Sequence, residues 1–104
     1  MISEVDLLGR QIVMPKAIWE THVISQRPWM AAYLSSVEQA IRSPTWIIDY
    51  EERECFYAER ALPPLPHLLL KLVVEFADEL HGVVITAYPL KRQKPSEGRR
   101  WPKP

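Results

Sequence analysis

A histidine and an arginine near the start of the chain have side chains that suit proton transfer beside a phosphate. An imidazole gains and loses a proton near neutral pH, so His22 could act as an acid or a base. Pro28 disfavours helical geometry for Arg27, which predicts that Arg27 projects from a helix end. A guanidinium matches phosphate oxygens with two hydrogen bonds. The alternatives are a packed or surface histidine and a surface ion pair.

Two hydroxyl-bearing residues in the last predicted strand form a second candidate group. Side chains alternate along a strand, so Thr86 and Tyr88 are expected on the same face. An apolar strand loses free energy by burying a hydroxyl without a partner, which favours a partner or a wet cleft. Thr86 could donate to a phosphate oxygen, and Tyr88 could donate a hydrogen bond or stack on a base. An ordinary β-forming threonine and a half-buried tyrosine are the alternative.

Further cations follow two of the predicted strands. Arg60 closes the second strand of a predicted hairpin, but strict alternation places it on the face opposite Tyr57 unless a bulge or the strand end rotates one of them. Lys91, Arg92 and Lys94 follow the last strand directly and are candidates to bind phosphates that flank a site.

The formal net charge is zero but is unevenly distributed. Residues 90–104 contain six basic residues and one acidic residue, a net +5, whereas residues 1–89 contain seven and twelve, a net −5. Such asymmetry points to a polyanionic partner, or alternatively to a solvated tail that keeps a neutral protein in solution.

The hydrophobic pattern predicts an α+β domain over residues 1–90 and a basic, proline-rich, flexible tail over residues 91–104. Apolar spacing of three and four residues predicts two N-terminal helices, and alternation then predicts four antiparallel strands. Residues 7–14 suit an N-terminal edge strand interrupted by Gly9. The predicted helices cover residues 16–26 and 28–42, and the predicted strands cover 46–50, 54–60, 68–76 and 82–89. The helices are expected on one face of the sheet, with the other face open for a site.

Several segments in the same order resemble a known nuclease superfamily. Residues 19–28 read WETHVISQRP, residues 56–60 read FYAER, residues 71–75 read KLVVE and residues 82–89 read GVVITAYP. With the intervening helix, they resemble the phage-type barnase–EndoU–colicin–RelE nucleases, which share a W-x-x-H-I-x-x-R-P-like helix end and a V-I-T-A-Y-like last strand. The resemblance covers roughly residues 9–90.

The resemblance implies a metal-independent endoribonuclease of the phage or toxin type that needs no cofactor. The 2′-hydroxyl of the RNA would attack the phosphate and leave a 2′,3′-cyclic phosphate and a 5′-hydroxyl. His22 would be the general base or acid, Arg27 and Arg60 would stabilise charge, and Thr86 and Tyr88 would position the substrate. A toxin would also have an antitoxin or immunity protein as a partner.

Two rival functions use the same fold. A non-catalytic RNA- or protein-binding module is favoured by the acidic charge of residues 1–89. A structural or regulatory subunit that pairs through an edge strand is the other rival.

Composition excludes several classes of protein. The single cysteine, Cys55, excludes an internal disulfide framework and a multi-cysteine zinc site. The chain has no glycine-rich phosphate loop and no nucleophile elbow. It also has no apolar run of the about 20 residues that cross a bilayer, and residues 1–6 do not resemble a signal peptide. We therefore expect a cytoplasmic protein without a membrane partner or a bound metal.

Overall fold

The computed structural model describes residues 2–92 and 98–102 and contains one mixed sheet with helical segments between its strands. The strands run in the order β1-β2-β6-β5-β4-β3-β7 across the sheet. The strands are β1 (Ile2–Val5), β2 (Gln11–Met14), β3 (Trp46–Tyr50), β4 (Arg53–Glu59), β5 (Leu69–Phe76), β6 (His81–Leu90) and β7 (Gly98–Trp101). The helical segments are α1 (Lys16–Ile18), a π-helical segment (Trp19–Ile24), a 3₁₀ segment (Pro28–Tyr33) and α2 (Leu34–Arg42).

The predicted α+β class is confirmed, but the prediction of a four-stranded antiparallel sheet is wrong. The sheet has seven strands and includes one parallel pair, β2 with β6. The predicted edge strand corresponds to β2, which lies inside the sheet because β1 pairs with its outer side. At the other edge β7 pairs with β3, although the sequence placed residues 98–101 in the tail. The sequence pattern did not predict β1 and β7, which contain few alternating positions, although it predicted a strand at the equally short β2.

Both helical regions pack on one face of the sheet, which we call the helix face. Their buried residues include Trp19, Val23, Met30, Val37 and Ile41. These side chains join the inward residues of six strands in one cluster, to which Ile12, Met14, Ile47, Phe56, Leu72, Val84 and Ala87 belong. Each fully buried large apolar side chain contributes about 1.5–3 kcal/mol. None of the helices in the described ranges has the length and apolar character needed to cross a membrane.

The first helical region is short and changes its winding. After the single turn of α1 the backbone widens into the π-helical segment, where the Thr21 and Ser25 hydroxyls donate to the carbonyls of Ala17 and Thr21, both at 2.6 Å. The region ends before Arg27, which has φ −140° and ψ 87°. This extended conformation is the one expected before Pro28.

A buried ionic network centred on Arg10 joins three parts of the fold. The Arg10 guanidinium donates to both carboxylate oxygens of Glu54 at 2.8 Å and, through Nε, to Asp6 at 2.8 Å. Its centre lies 4.3 Å from the ring centroid of Phe76. Burial lowers the pKa of Arg10, but the hydrogen bonds to Glu54 and Asp6 outweigh that effect, so the pKa lies above its ordinary value.

The same network fastens β7 to the body. Arg100 Nε lies 2.8 Å from Asp49 and 3.1 Å from the Glu54 carboxylate that also binds Arg10. Glu54 therefore connects the β1–β2 turn with the last strand of the sheet.

We expect Arg10→Met to lower the free energy of unfolding by about 3–5 kcal/mol, because two nearly buried carboxylates lose their main cationic partner. The matched control is Arg42→Met, since Arg42 is 46% exposed in its ion pair with Glu4. This change should cost less than about 1 kcal/mol. Urea unfolding followed by tryptophan fluorescence measures both. Equal losses in the two variants would contradict the structural role of the Arg10 network.

Candidate functional site

A bulge in β6 decides which of its side chains face away from the helices. Val73 pairs with Thr86, whereas the next residue of β5, Val74, pairs with Val84. One extra residue, Ile85, therefore lies between the two pairs on β6. Val84 belongs to the core of the helix face, while Thr86 lies on the opposite face, which we call the second face.

The segments that carry the residues proposed for chemistry near the start and end of the chain contact each other at the outer edge of β6. The parallel partner β2 covers only His81–Val83. Beyond that point the Thr86 hydroxyl donates to the backbone carbonyl of His22 at 3.3 Å. The Arg27 guanidinium lies 5.9 Å from the ring centroid of Tyr88. We call His22, Arg27, Thr86 and Tyr88 the β6-edge site.

The β6-edge site contains an exposed histidine and, on the neighbouring segment, an arginine whose guanidinium lies near an aromatic ring. His22 is exposed, and no other described residue hydrogen-bonds to its ring. Arg27 is half-buried and has no carboxylate partner among residues 2–92 and 98–102. The Thr86 hydroxyl already bonds a backbone carbonyl, so it fixes the π-helical segment against the strand. The arrangement can therefore transfer a proton at His22 and hold an anion at Arg27.

A row of aromatic and cationic side chains crosses the second face from the β6 edge. Lys71 pairs with Tyr88 on β6 and with Tyr57 on β4, and Tyr57 pairs with Trp46 on β3. The Lys71 ammonium lies 5.5 Å from the Tyr57 centroid and 5.6 Å from the Tyr88 centroid. Trp46 stacks on Tyr57 with centroids 5.8 Å apart. In this row each side chain contacts its cross-strand neighbour, so the row is continuous from Tyr88 to Trp46.

The centre of the second face is closed, contrary to the expectation of an open face. Ile48, Cys55 and Tyr57 are at most 1% exposed and form a second apolar cluster with Leu69. Accessible polar groups on this side therefore lie at its edge and at its end.

A basic pocket lies at the end of the second face, next to Trp46. Its volume is about 310 Å³. It is lined by the cations Arg60, Lys91 and Arg92 and by His67. The remaining lining residues are Trp46, Glu59, Pro66, Leu68 and Leu69. Arg60 reaches this pocket because it follows the end of β4 with φ 54°, which breaks the strand alternation. We call this cavity the basic pocket.

The structure divides the predicted cations into two groups. Arg60 lines the basic pocket with Lys91 and Arg92 and makes no hydrogen bond or ring contact with the β6-edge site. Lys94, the third predicted RNA-binding residue of the tail, lies outside the described residues. The sequence analysis placed Arg60 in one site with His22. Strand alternation does not show that Arg60 has a left-handed conformation, nor at which end of the sheet β4 terminates.

Ion pairing separates these arginines from the others. Arg10, Arg42, Arg53 and Arg100 all bind carboxylates. By contrast Arg27, Arg60 and Arg92 have no carboxylate partner within the part of the chain that is described. A cation without an internal partner can bind an external anion without first breaking an ion pair. Arg27 in the β6-edge site and Arg60 and Arg92 in the basic pocket have this property.

A larger cavity elsewhere does not suit an anion. It measures about 430 Å³ and is lined by Arg10 and Arg100 together with Glu54, Asp78 and Glu79. Both arginines there are already bound to carboxylates, so an anion would have to displace Glu54 or its neighbours. The hydrogen bond that Asp78 accepts from the Leu80 backbone lowers the pKa of Asp78, as does its contact with His81. This end of the molecule therefore stays anionic.

Sequence reasoning did not assign a role to Trp46 or His67. Trp46 begins β3, and the sequence pattern predicts only that it belongs to a strand. His67 lies in a proline-rich connector. The Trp46 Nε1 is buried and has no hydrogen-bond partner among the described residues, which is uncommon for a buried donor. Strand alternation predicts that Trp46 and Tyr50 lie on the same face. It does not predict the pocket, because the other lining residues come from three segments elsewhere in the sequence.

Comparisons with family models, with curated proteins and with solved structures find no match to this chain. The resemblance to the phage-type nucleases therefore stays a prediction that rests on the sequence motifs.

We expect Thr86→Val to lower the free energy of unfolding by about 0.5–1.5 kcal/mol, because the hydroxyl that bonds the His22 carbonyl is lost. Valine keeps the side-chain volume and the strand preference of threonine. Thr86→Ser is the control, since it keeps the hydroxyl. Urea unfolding measures the difference. If the valine variant were as stable as the parent while the serine variant was weaker, the hydrogen bond would have no structural value.

Proposed function

We propose that this protein is a metal-independent endoribonuclease whose reaction takes place at the β6 edge. The observation that carries the proposal is a pair of contacts between distant segments. Thr86 bonds the backbone carbonyl of His22, 64 residues earlier in the chain, and Arg27 lies near the ring of Tyr88. These side-chain types are those needed for attack by a 2′-hydroxyl on the adjacent phosphate. The sequence motifs that resemble the phage-type nucleases include the same residues.

In this reaction the 2′-oxygen of the RNA bonds to phosphorus and the bond from phosphorus to the 5′-oxygen breaks. The 2′-hydroxyl loses one proton and the leaving 5′-oxygen gains one. His22 exchanges one of these two protons, and solvent water exchanges the other. Arg27 binds the phosphate oxygens, on which negative charge increases in the transition state. The products are a 2′,3′-cyclic phosphate and a 5′-hydroxyl.

The two hydroxyl residues have different tasks in the proposal. Thr86 holds the π-helical segment, and with it His22, against β6 through the carbonyl of His22. Tyr88 positions the substrate, because its ring lies beside both Arg27 and Lys71. A base or sugar that contacts Tyr88 would have its phosphate within reach of Arg27.

A non-catalytic RNA-binding module is the second candidate function. It is favoured by the position of Arg60, which lines the basic pocket instead of joining the β6-edge site as a second stabiliser of charge. A toxin role with an antitoxin or immunity partner, and a cytoplasmic location, stay predictions from the sequence.

We expect the purified protein to cleave single-stranded RNA in excess chelator, and His22→Ala to reduce the cleavage rate by about 10²–10⁴-fold. The matched control is His81→Ala, because His81 is exposed and contacts Asp78 at the other end of β6. Its rate should equal that of the parent. End-labelled RNA resolved on a gel gives the rates and identifies the 2′,3′-cyclic product.

Loss of all cleavage on chelation would contradict the metal-free reaction. Equal rates for His22→Ala and the parent would remove His22 from its role. RNA binding without cleavage by any variant would favour the non-catalytic module.

A further inference from the structure

We infer that the basic pocket is a subsite for one nucleotide of single-stranded RNA, next to the nucleotide whose phosphate is cleaved at the β6 edge. This inference rests on the proposed function for the choice of RNA as ligand. It assigns to Trp46, Arg60, His67, Lys91 and Arg92 a joint binding role that differs from catalysis.

The chemistry of the pocket lining matches the two parts of a nucleotide. One part of the lining is apolar and includes the Trp46 indole, Pro66 and Leu69, against which a base can pack. The other part includes Arg60 and Arg92, residues whose guanidinium groups suit a phosphate. The cavity of about 310 Å³ is a concave site of the size that small ligands occupy.

The pocket cations are available to a ligand. Arg60, Lys91 and Arg92 are exposed and make no ion pair with any described residue, whereas Arg53 at the other end of β4 is bound to Glu75. Glu59 also lines the pocket and makes no ion pair among the residues the structure covers.

The position of the pocket relative to the β6 edge suits a continuous strand of RNA. Tyr88 belongs to the β6-edge site, and the pocket residue Lys91 follows it three positions later. Tyr88 and Leu90 lie in an extended strand and are therefore about 7 Å apart. The row from Tyr88 through Lys71 and Tyr57 also ends at Trp46, in the pocket wall. One strand of RNA can therefore contact both sites.

The experiment measures binding of a fluorescent 2′-O-methyl RNA hexamer by anisotropy at several salt concentrations. This RNA cannot be cleaved through its 2′-oxygen, so the result does not depend on whether the protein is a nuclease. We expect the double variant Arg60→Ala/Arg92→Ala to bind at least about tenfold more weakly and to lose about 0.7 from the salt slope for each lost phosphate contact. The matched control is Arg42→Ala/Arg53→Ala, which also removes two positive charges and should bind like the parent.

A second pair of variants tests the base. Trp46→Leu should weaken binding about fivefold or more, because a stacking partner is lost. Trp29→Leu is the control, since Trp29 is 43% exposed and does not line the pocket. A duplex of the same sequence should bind more weakly than the single strand, because paired bases cannot enter a pocket.

Several results would overturn the inference. One is that Arg60→Ala/Arg92→Ala binds no more weakly than the control Arg42→Ala/Arg53→Ala. Another is a duplex that binds as tightly as the single strand. If adenosine 5′-monophosphate bound as tightly as the hexamer, the pocket would hold a free nucleotide and not a segment of RNA. If the hexamer bound as expected but no RNA was cleaved, the proposed catalytic function would fail while the subsite remained.

Discussion

The extra residue in β6 is the constraint on which the candidate site depends. Without the bulge at Ile85, Val84 and Thr86 would lie on the same face of the sheet. The Thr86 hydroxyl would then face the apolar core to which Val84 belongs. The bulge places Val84 in the core and turns Thr86 and Tyr88 to the second face. Because β2 stops pairing at Val83, the same region of β6 has an edge along which His22 and Arg27 can lie. Bulges of this kind often direct side chains at functional sites.

The molecule separates its charges into a paired end and an unpaired end. At one end Arg10 and Arg100 are bound to Asp6, Asp49 and Glu54, so the positive charge serves the fold. At the other end the arginines have no carboxylate partners within the described ranges and surround an accessible cavity. The net charge of zero therefore conceals a surface that can attract a polyanion at one place.

The long elements could be predicted from the sequence because each contains several alternating or helical positions. The hairpin of β3 and β4 and the hairpin of β5 and β6 lie within a residue or two of the predicted strands. The extension of Arg27 follows from the proline after it. In contrast, β1 and β7 are four residues long, and β7 pairs with a strand about 50 residues earlier. Such pairing depends on long-range contacts such as Arg100 with Asp49, which no local pattern encodes.

The candidate site was predictable to the same degree. The motifs name His22, Arg27, Thr86 and Tyr88. The structure joins Thr86 to the His22 backbone and places Arg27 near Tyr88. The location of Arg60 could not be predicted. Its left-handed conformation turns the chain after β4, and a residue other than glycine gives no sign of such a turn in the sequence. Trp46 was missed because its importance arises from segments that fold next to it, not from its own neighbours in sequence.

The most direct test of the account is an NMR titration of the isotope-labelled protein with an uncleavable single-stranded RNA. We expect the resonances of His22, Arg27 and Tyr88 to shift together with those of Arg60 and Arg92. The shifts of all five residues should fit one common dissociation constant. Resonances at the paired end, where Asp6 and Arg10 lie, should stay unchanged because their charges are already satisfied. Shifts confined to the paired end, or none at the β6 edge at saturating RNA, would contradict the account.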